Sequence, residues 1–96
     1  MSEVIEKAVA ALNERMGDDG FDGYVKIEIE GEGAIMMDAS GARAADEAAD
    51  VTLSADADTF RSILEGDTNP TAAFMTGKLK VDGDMGMAMK LASVLA

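Results

Sequence analysis

The residues of this chain that could carry acid–base chemistry are carboxylates, which fall into three short clusters. Two carboxylates can act as general acid and general base if a fold holds them together. The first and third clusters, however, lie among glycines typical of turns, and the second alternates with apolar residues as on the solvent side of a strand. We therefore interpret all three as structural. The clusters are Asp18, Asp19 and Asp22; Glu28, Glu30 and Glu32; and Asp82 and Asp84.

Groups that form other nucleophiles or metal sites are missing. The sequence has no histidine and no cysteine, which excludes Ser-His and Cys-His pairs, histidine or thiolate metal sites and disulfides. A calcium loop beginning at Asp18 fails, because Gly20 takes its third position and Ile29 stands where a closing glutamate is required. There is no glycine-rich phosphate loop. These absences argue against an enzyme without excluding one, and they indicate no metal site.

The charge balance narrows the class of partner. Eight basic and 19 acidic residues give a net charge of -11. Nucleic-acid phosphates and anionic membrane surfaces repel such a chain, so we expect no nucleic-acid partner. No apolar run approaches the ~20 residues of a membrane span, so we expect no stable membrane insertion. We interpret the acidity as a source of solubility, with adaptation to a salty habitat as an alternative.

The length of 96 residues predicts a single domain over residues 1–96. The sequence shows no basic segment followed by an apolar run, as in a signal peptide, and it does not end in Ser-Lys-Leu. We therefore expect a cytoplasmic protein.

Hydrophobic periodicity predicts the elements that must position these groups. Apolar residues at helical spacing predict a first helix, capped by Ser2 and running to about Met16. Alternation predicts strands over residues 24–30, 34–39 and 51–55, and a later one from Gly77 to Val81. The alanine-rich stretch 42–49 is compatible with helix or strand, and we assign it to a short edge strand.

Three further helices are predicted by their caps. Asp56 precedes a short helix, Asn69-Pro70 places a cap and a proline before another, and Asp84 precedes a last helix to about Leu95. The order of elements predicts an α+β fold, with a mostly antiparallel sheet covered on one face by helices.

The last predicted helix, residues 85–95, is unusually apolar. Only Lys90 in it is charged, and its apolar arc is wider than the ~100° stripe of a surface helix. It therefore needs cover from another helix, a partner protein or a bound apolar ligand. Four methionines lie from Met75 to Met89, and methionine serves both irregular cores and adaptable binding surfaces. The residues alone leave both interpretations open, with plain core slightly ahead.

A series of short motifs runs through the second half of the chain in a defined order. It comprises an alternating strand at 51–54, a short helix ending in Leu64-Glu65-Gly66, Asn69-Pro70, a helical turn with Phe74, the stretch 77–81, Gly83-Asp84, and a closing apolar helix with Lys90-Leu91. This series resembles the sterol carrier protein 2 (SCP-2) family, most strongly from about Asp50 onward. The first half, a helix followed by a strand hairpin, fits the same order.

The resemblance implies a fold, a function and a site. The fold is a five-stranded sheet with helices over one face and an apolar tunnel between sheet and helices. The function is that of a carrier for a fatty acid, acyl-CoA, phospholipid or sterol, without catalysis and without a cofactor. In a chain so short, acidic and poor in aromatic residues, an acyl chain is as suitable a ligand as sterol. By position, the tunnel walls would include Phe74, Met75, Met85, Met89 and Leu91, with Ile35 and Met37 added if that face of the hairpin points inward.

Position within the last helix separates two roles. Ala88 and Leu91 lie at the centre of the apolar arc, where packing on the sheet is expected. Met85 and Met89 lie on a flank about 100° or more from Leu91, and we expect that flank to face the tunnel.

An alternative interpretation is a small interaction module whose apolar C-terminal helix docks on a partner protein or a second copy. We expect a monomer rather than a dimer, and an enzyme of lipid metabolism is compatible as a partner. A stable dimer that buries the last helix would favour the interaction module over the carrier. An enzyme is the third interpretation, and the missing histidine and cysteine weigh against it.

Overall fold

The computed structural model describes residues 3–17 and 20–95 of the chain. The predicted cap Ser2 and the turn residues Asp18 and Asp19 lie outside these ranges. The elements in chain order are α1 (Glu3–Met16), β1 (Val25–Glu30), β2 (Gly33–Asp38), β3 (Gly41–Ala44), β4 (Val51–Asp56), α2 (Ala57–Leu64), α3 (Pro70–Met75), β5 (Lys80–Gly83) and α4 (Met85–Leu95).

The five strands form one sheet in the order β3-β2-β1-β4-β5. Three of its four strand pairs are antiparallel, and β1 with β4 is the parallel pair. The predicted mostly antiparallel sheet is therefore confirmed. The parallel pair arises because the chain leaves β3 at one edge and enters the sheet again beyond β1, which requires a crossover.

Alternation along the strands places the core on one face of the sheet. Val25, Ile27 and Ile29 of β1 are buried, and their neighbours across the register include Met37 and Ile35 of β2. These side chains join one cluster with the buried residues of all four helices. A period of two puts the remaining side chains of β1, such as Lys26, on the opposite face. The helices therefore cover a single face, as the sequence predicts.

The crossover, residues 45–50, runs across the helix-free face. Lys26 Nζ lies 3.0 Å from Asp46 Oδ1. The Arg43 guanidinium forms ion pairs with two carboxylates, at 2.8 Å from Asp38 Oδ2 and 3.0 Å from Glu47 Oε1. Met36, which is 1% exposed, is buried on this side. The predicted edge strand over 42–49 exists but is shorter, because beyond Ala44 the chain leaves the sheet edge to make the crossover.

The three predicted helix caps that lie within residues 3–17 and 20–95 are present. The backbone N–H of Thr59 donates to Asp56 Oδ1 at 2.7 Å, and that of Thr71 donates to Asn69 Oδ1 at 2.8 Å. At the start of α4, the backbone N–H of Met87 donates to Asp84 Oδ1 at 3.1 Å. Each oxygen satisfies a donor that the first helical turn leaves free, which explains why the three helices begin where the sequence indicates.

The last strand departs from its prediction. The sequence predicts it over 77–81, whereas in the structure it lies at Lys80–Gly83. The backbone N–H groups of Lys78 and Leu79 donate to the carbonyl of Ala73 at 2.9 and 3.1 Å, so these residues close α3 instead of joining the sheet. The strand then continues to Gly83, whose positive φ of 115° and closeness to Asp50 suit only glycine.

Candidate functional site

An apolar cleft lies between α3, α4 and the strands β4 and β5. The position of α3 follows from its Asn69 cap and Pro70 start, and α4 begins directly after the end of β5. The cleft is lined by Leu53, Leu79 and Val81 from the sheet side, by Pro70, Thr71 and Phe74 of α3, and by Met85, Ala88, Met89, Ala92 and Leu95 of α4.

The chemistry of this cleft is uniform. Thr71 is the one lining residue with a polar side chain, and none is charged. The cleft can therefore hold a ligand through apolar contact and shape, with little hydrogen bonding and no ion pair. It offers no general acid, general base or nucleophile apart from one threonine hydroxyl.

The cleft is narrow, with a cavity volume of about 30 Å³. Sites for drug-sized or larger ligands hold roughly 300–1,000 Å³, so a lipid chain requires the walls to move apart. The outer wall is suited to this, because Phe74, Met85 and Met89 are 38%, 45% and 54% exposed. Methionine side chains change rotamer easily, so they can swing outward with little strain.

The structure brings together three of the seven site residues expected from the sequence: Phe74, Met85 and Met89. Met75 is 79% exposed on α3 and is not part of the lining. Leu91, on the inner side of α4, is fully buried. This agrees with the core-packing role that its position within the helix predicts.

Ile35 and Met37 are also fully buried. They lie on the helix side of β2, as the inward orientation of that hairpin face requires, but β1 separates β2 from the strands that line the cleft. A ligand-binding role for these two, for Met75 and for Leu91 stays a prediction.

Some lining residues were not among the expected site residues. Leu53 and Val81 belong to β4 and β5, and Leu79 directly precedes β5. The alternation of apolar residues along these two stretches was a signal that could have identified all three. The family resemblance places the helix that contains Pro70 and Thr71 in the tunnel wall, but it singles out neither residue. What the sequence could not supply is the packing of α3 beside α4, which turns these positions toward the same space.

Arg15 joins three helices and had no sequence signal. Its Nη1 donates to the carbonyl of Leu95 at 2.9 Å, and its Nη2 donates to the carbonyl of Leu64. A cation is favourable at helix C-termini, where carbonyl groups lack helical partners. Arg15 of α1 therefore ties down the ends of α2 and α4, and Leu95 lines the cleft.

A second concavity lies between α1 and α2, with a volume of about 600 Å³. Its floor is apolar, but its walls also carry Glu3, Lys7, Arg61 and Glu65. Volume alone would favour this groove as a lipid site. We favour the narrow cleft, because burial of an acyl chain is stabilised by apolar contact and opposed by the loss of water around charged groups.

The groups with shifted pKa values lie elsewhere. The Arg43 guanidinium and the backbone N–H of Ser40 hold the pKa of Asp38 below its ordinary value of 3.8. A hydrogen bond to Asp46 raises the pKa of Lys26. Both residues belong to the helix-free face of the sheet, so these shifts reflect the ion pairs of the crossover. Within residues 3–17 and 20–95, no three carboxylates are grouped so that they could hold a metal ion.

Comparison with known proteins identifies this architecture. The family model described as the SCP-2 sterol transfer family matches residues 7–96. The chain belongs to the SCP-2 sterol transfer family. This confirms the resemblance, which the sequence indicates over nearly the whole chain and most strongly from about Asp50 onward.

The curated relatives of this SCP-2 chain are longer proteins. Human "Hydroxysteroid dehydrogenase-like protein 2" is 33% identical over 97 residues, which covers 99% of this chain and 22% of that protein. Human "Sterol carrier protein 2" is 51% identical over 47 residues, covering 48% of this chain and 8% of that protein. The chain thus spans about a fifth or less of the length of these relatives.

Solved SCP-2 structures show the same fold. The solution structure of sterol carrier protein 2 from Aedes aegypti, in complex with palmitate, matches with a TM-score of 0.78 and 22% identity, over 100% of this chain and 97% of that one. A crystal structure of SCP-2-like 2 from the same organism matches with a TM-score of 0.74 and 23% identity, over 95% and 92%. The predicted α+β class with a five-stranded sheet is confirmed. Among the described residues, no helix is long and apolar enough to cross a membrane.

Proposed function

We propose that this chain is a non-catalytic carrier that holds one acyl chain in the cleft between α3, α4 and strands β4 and β5. The observation that carries the proposal is the lining of the cleft, in which eleven residues include no charge and one polar side chain. The palmitate named with the Aedes aegypti SCP-2 structure supports a fatty acid or acyl group as the ligand, ahead of sterol.

In such a carrier, the free energy gained by burying the lipid offsets the free energy that an empty cavity would cost. Burial of a methylene group stabilises by about 0.8 kcal/mol, so ten buried methylenes contribute about 8 kcal/mol. A void of about 300 Å³ held open without a ligand would cost about 7 kcal/mol, which is a large part of the stability of a small domain. The narrow cleft and its methionine wall agree with this balance, because opening is favourable only when the ligand fills the space.

The proposal includes no reaction. The cleft offers no carboxylate, amine or thiol to a bound lipid, and no group with a shifted pKa lines it. We infer that the lipid is carried unchanged, and that an enzyme of lipid metabolism supplies or consumes it. A cytoplasmic location stays a prediction.

The test compares two exposed methionines. Met89→Gln places an amide where the acyl chain would lie, whereas Met75→Gln makes the same change outside the cleft. Loss of amide hydration without a new partner costs about 1–3 kcal/mol, and Met89 keeps some contact with water. We therefore expect Met89→Gln to weaken binding of a fluorescent fatty acid about five- to tenfold, with Met75→Gln unchanged.

Chemical denaturation of both variants completes the experiment. Both side chains are exposed, so the midpoints should stay close to that of the parent. If Met89→Gln binds as tightly as the parent, or if both variants lose affinity equally, the cleft is not the lipid site. Native mass spectrometry of freshly purified protein provides an independent measurement. The proposal expects a monomer carrying a co-purified lipid, whereas a stable dimer without lipid would favour the interaction module.

A further inference from the structure

The sulfur atoms of this chain all belong to methionine, and the fold exposes them unequally. The sequence holds eight methionines and no cysteine. Among the described residues, Met36 and Met37 of β2 are fully buried. Met75 of α3 and Met85 and Met89 of α4 are exposed. An oxidant in the surrounding water therefore reaches the sulfur atoms of α3 and α4 before those of the sheet.

Two of the three exposed methionines meet at the cleft. Met85 and Met89 stand four residues apart on α4, so their side chains lie side by side on one face of the helix. Both line the cleft, whereas Met75 is accessible but lies outside the lining. The fold thus places the same oxidisable group at the candidate lipid site and next to it.

We propose that Met85 and Met89 form a reversible oxidation site that sets the affinity of the cleft for an acyl chain. The reactant is a peroxide, and the product is methionine sulfoxide at these two positions. With both thioethers intact the cleft binds its lipid, and with both oxidised it releases the lipid. This rests on the proposed function, since it regulates the same cleft.

The reaction needs a co-reactant but no catalytic group from the protein. A lone pair of the thioether sulfur attacks one oxygen of hydrogen peroxide, and the S–O bond forms as the O–O bond breaks. The leaving hydroxide takes the proton of the transferred oxygen and departs as water, so sulfur is oxidised and peroxide is reduced by two electrons. Methionine sulfoxide reductases reverse the change with two electrons and two protons from a dithiol, and the oxygen leaves as water.

The sulfoxide oxygen is a hydrogen-bond acceptor placed in an apolar lining. The cleft offers it one side-chain donor, the hydroxyl of Thr71 on α3. In the empty protein water can solvate the oxygen, because Met85 and Met89 are partly exposed. An acyl chain would displace this water without supplying a hydrogen bond, which lowers the affinity. The fully buried residues of the core stay unchanged, so the fold should be retained.

The experiment treats the parent protein with hydrogen peroxide and measures binding of a fluorescent fatty acid. Mass spectrometry of proteolytic peptides should locate added oxygen on Met75, Met85 and Met89 before Met36 and Met37. The affinity should fall about tenfold, while the urea midpoint of the empty protein stays close to that of the untreated sample. Incubation with methionine sulfoxide reductases A and B and a dithiol should restore the affinity.

Two leucine variants separate the proposed site from the methionine beside it. Leucine has a similar volume and no sulfur, and each variant is compared with its own affinity before treatment. In Met75→Leu, peroxide should lower the affinity as it does in the parent. In the double variant Met85→Leu, Met89→Leu, peroxide should leave the affinity unchanged although Met75 is oxidised.

Protection by ligand gives an independent measurement in the parent itself. A saturating fatty acid covers Met85 and Met89 in the cleft but leaves Met75 in water, so it should slow oxidation of the first two and not of the third. Equal oxidation of all three with and without fatty acid would overturn the proposal.

Three results of the binding measurement would also overturn it. One is an unchanged affinity once mass spectrometry shows oxygen on both Met85 and Met89. Another is a loss of affinity that persists in the double variant, because it would come from a different methionine. The third is a loss that accompanies unfolding of the oxidised protein. Failure of the proposed function is seen separately, as absence of fatty-acid binding by the untreated protein.

Discussion

Substitution of Leu91 by alanine tests whether the centre of α4 is core or part of the ligand site. Leu91 is 0% exposed and belongs to the main apolar cluster. Buried leucine-to-alanine changes cost about 2–5 kcal/mol, depending on how far the space can collapse. Met87 stands four residues earlier and packs against the same cluster, so its flexible side chain can fill part of the space. We expect a loss of about 3 kcal/mol.

That loss is large for a domain whose whole stability is about 5–15 kcal/mol. For a chain of this size, each kcal/mol shifts the thermal midpoint by about 4–8 °C, so Leu91→Ala should melt roughly 12–24 °C below the parent. Urea denaturation followed by circular dichroism measures the free energy directly. Leu91→Met is the matched control, because a swap that nearly conserves volume costs less than about 1.5 kcal/mol.

Denaturation of the same proteins with a bound fatty acid shows whether Leu91 belongs to the core or to the ligand site. A fatty acid at 100 times its dissociation constant stabilises the native state by about 2.7 kcal/mol. If Leu91 does not touch the ligand, this increment should be the same in Leu91→Ala and in the parent. A stability loss below about 1 kcal/mol, or an increment that disappears in the variant, would refute the assignment of Leu91 to the core.

Two further changes test the sheet. Gly83→Ala should destabilise the protein by about 1–3 kcal/mol from backbone strain alone. The reason is that φ is +115° and that an added Cβ would lie 2.5 Å from the carbonyl oxygen of Asp50. An unchanged urea midpoint would contradict this prediction. The Arg43 guanidinium lowers the pKa of Asp38 in the folded state, so the stability from this pair is fully present above about pH 5 and is lost as pH falls through the lowered pKa. The free energy of unfolding of Asp38→Asn should therefore converge with that of the parent at low pH, and a difference that grows on acidification would show that the sign is wrong.

Local signals determined most of the secondary structure. Helix starts are marked by Asp56, Asn69 and Asp84, because each side-chain oxygen accepts hydrogen bonds from N–H groups within three residues of it. Alternation in β1 and β4 sorts their side chains onto two faces, because successive residues of a strand point in opposite directions. These relations depend on neighbours in the chain, so the sequence states them directly. The family resemblance is of the same kind, since it consists of short motifs in a fixed order.

The site depended on contacts that no short stretch of sequence contains. Met75 and Met89 have the same chemistry, and both were expected in the tunnel; the packing of α3 against α4 puts Met89 at the cleft and leaves Met75 outside its lining. The shift of β5 to Lys80 follows from bonds to the carbonyl of Ala73, which compete with the sheet for the same N–H groups.

Contacts between residues far apart in the sequence are the common physical reason why these features could not be predicted. Arg15 binds carbonyl groups 49 and 80 residues away, and β4 pairs with β1 only after the crossover has passed the hairpin. The sequence by itself therefore determined most of the helices and strands, the family to which they belong, and that the last helix is too apolar to stand alone. The tertiary structure decided which of its side chains are covered by the sheet and which border an opening, because that depends on the elements that pack beside it.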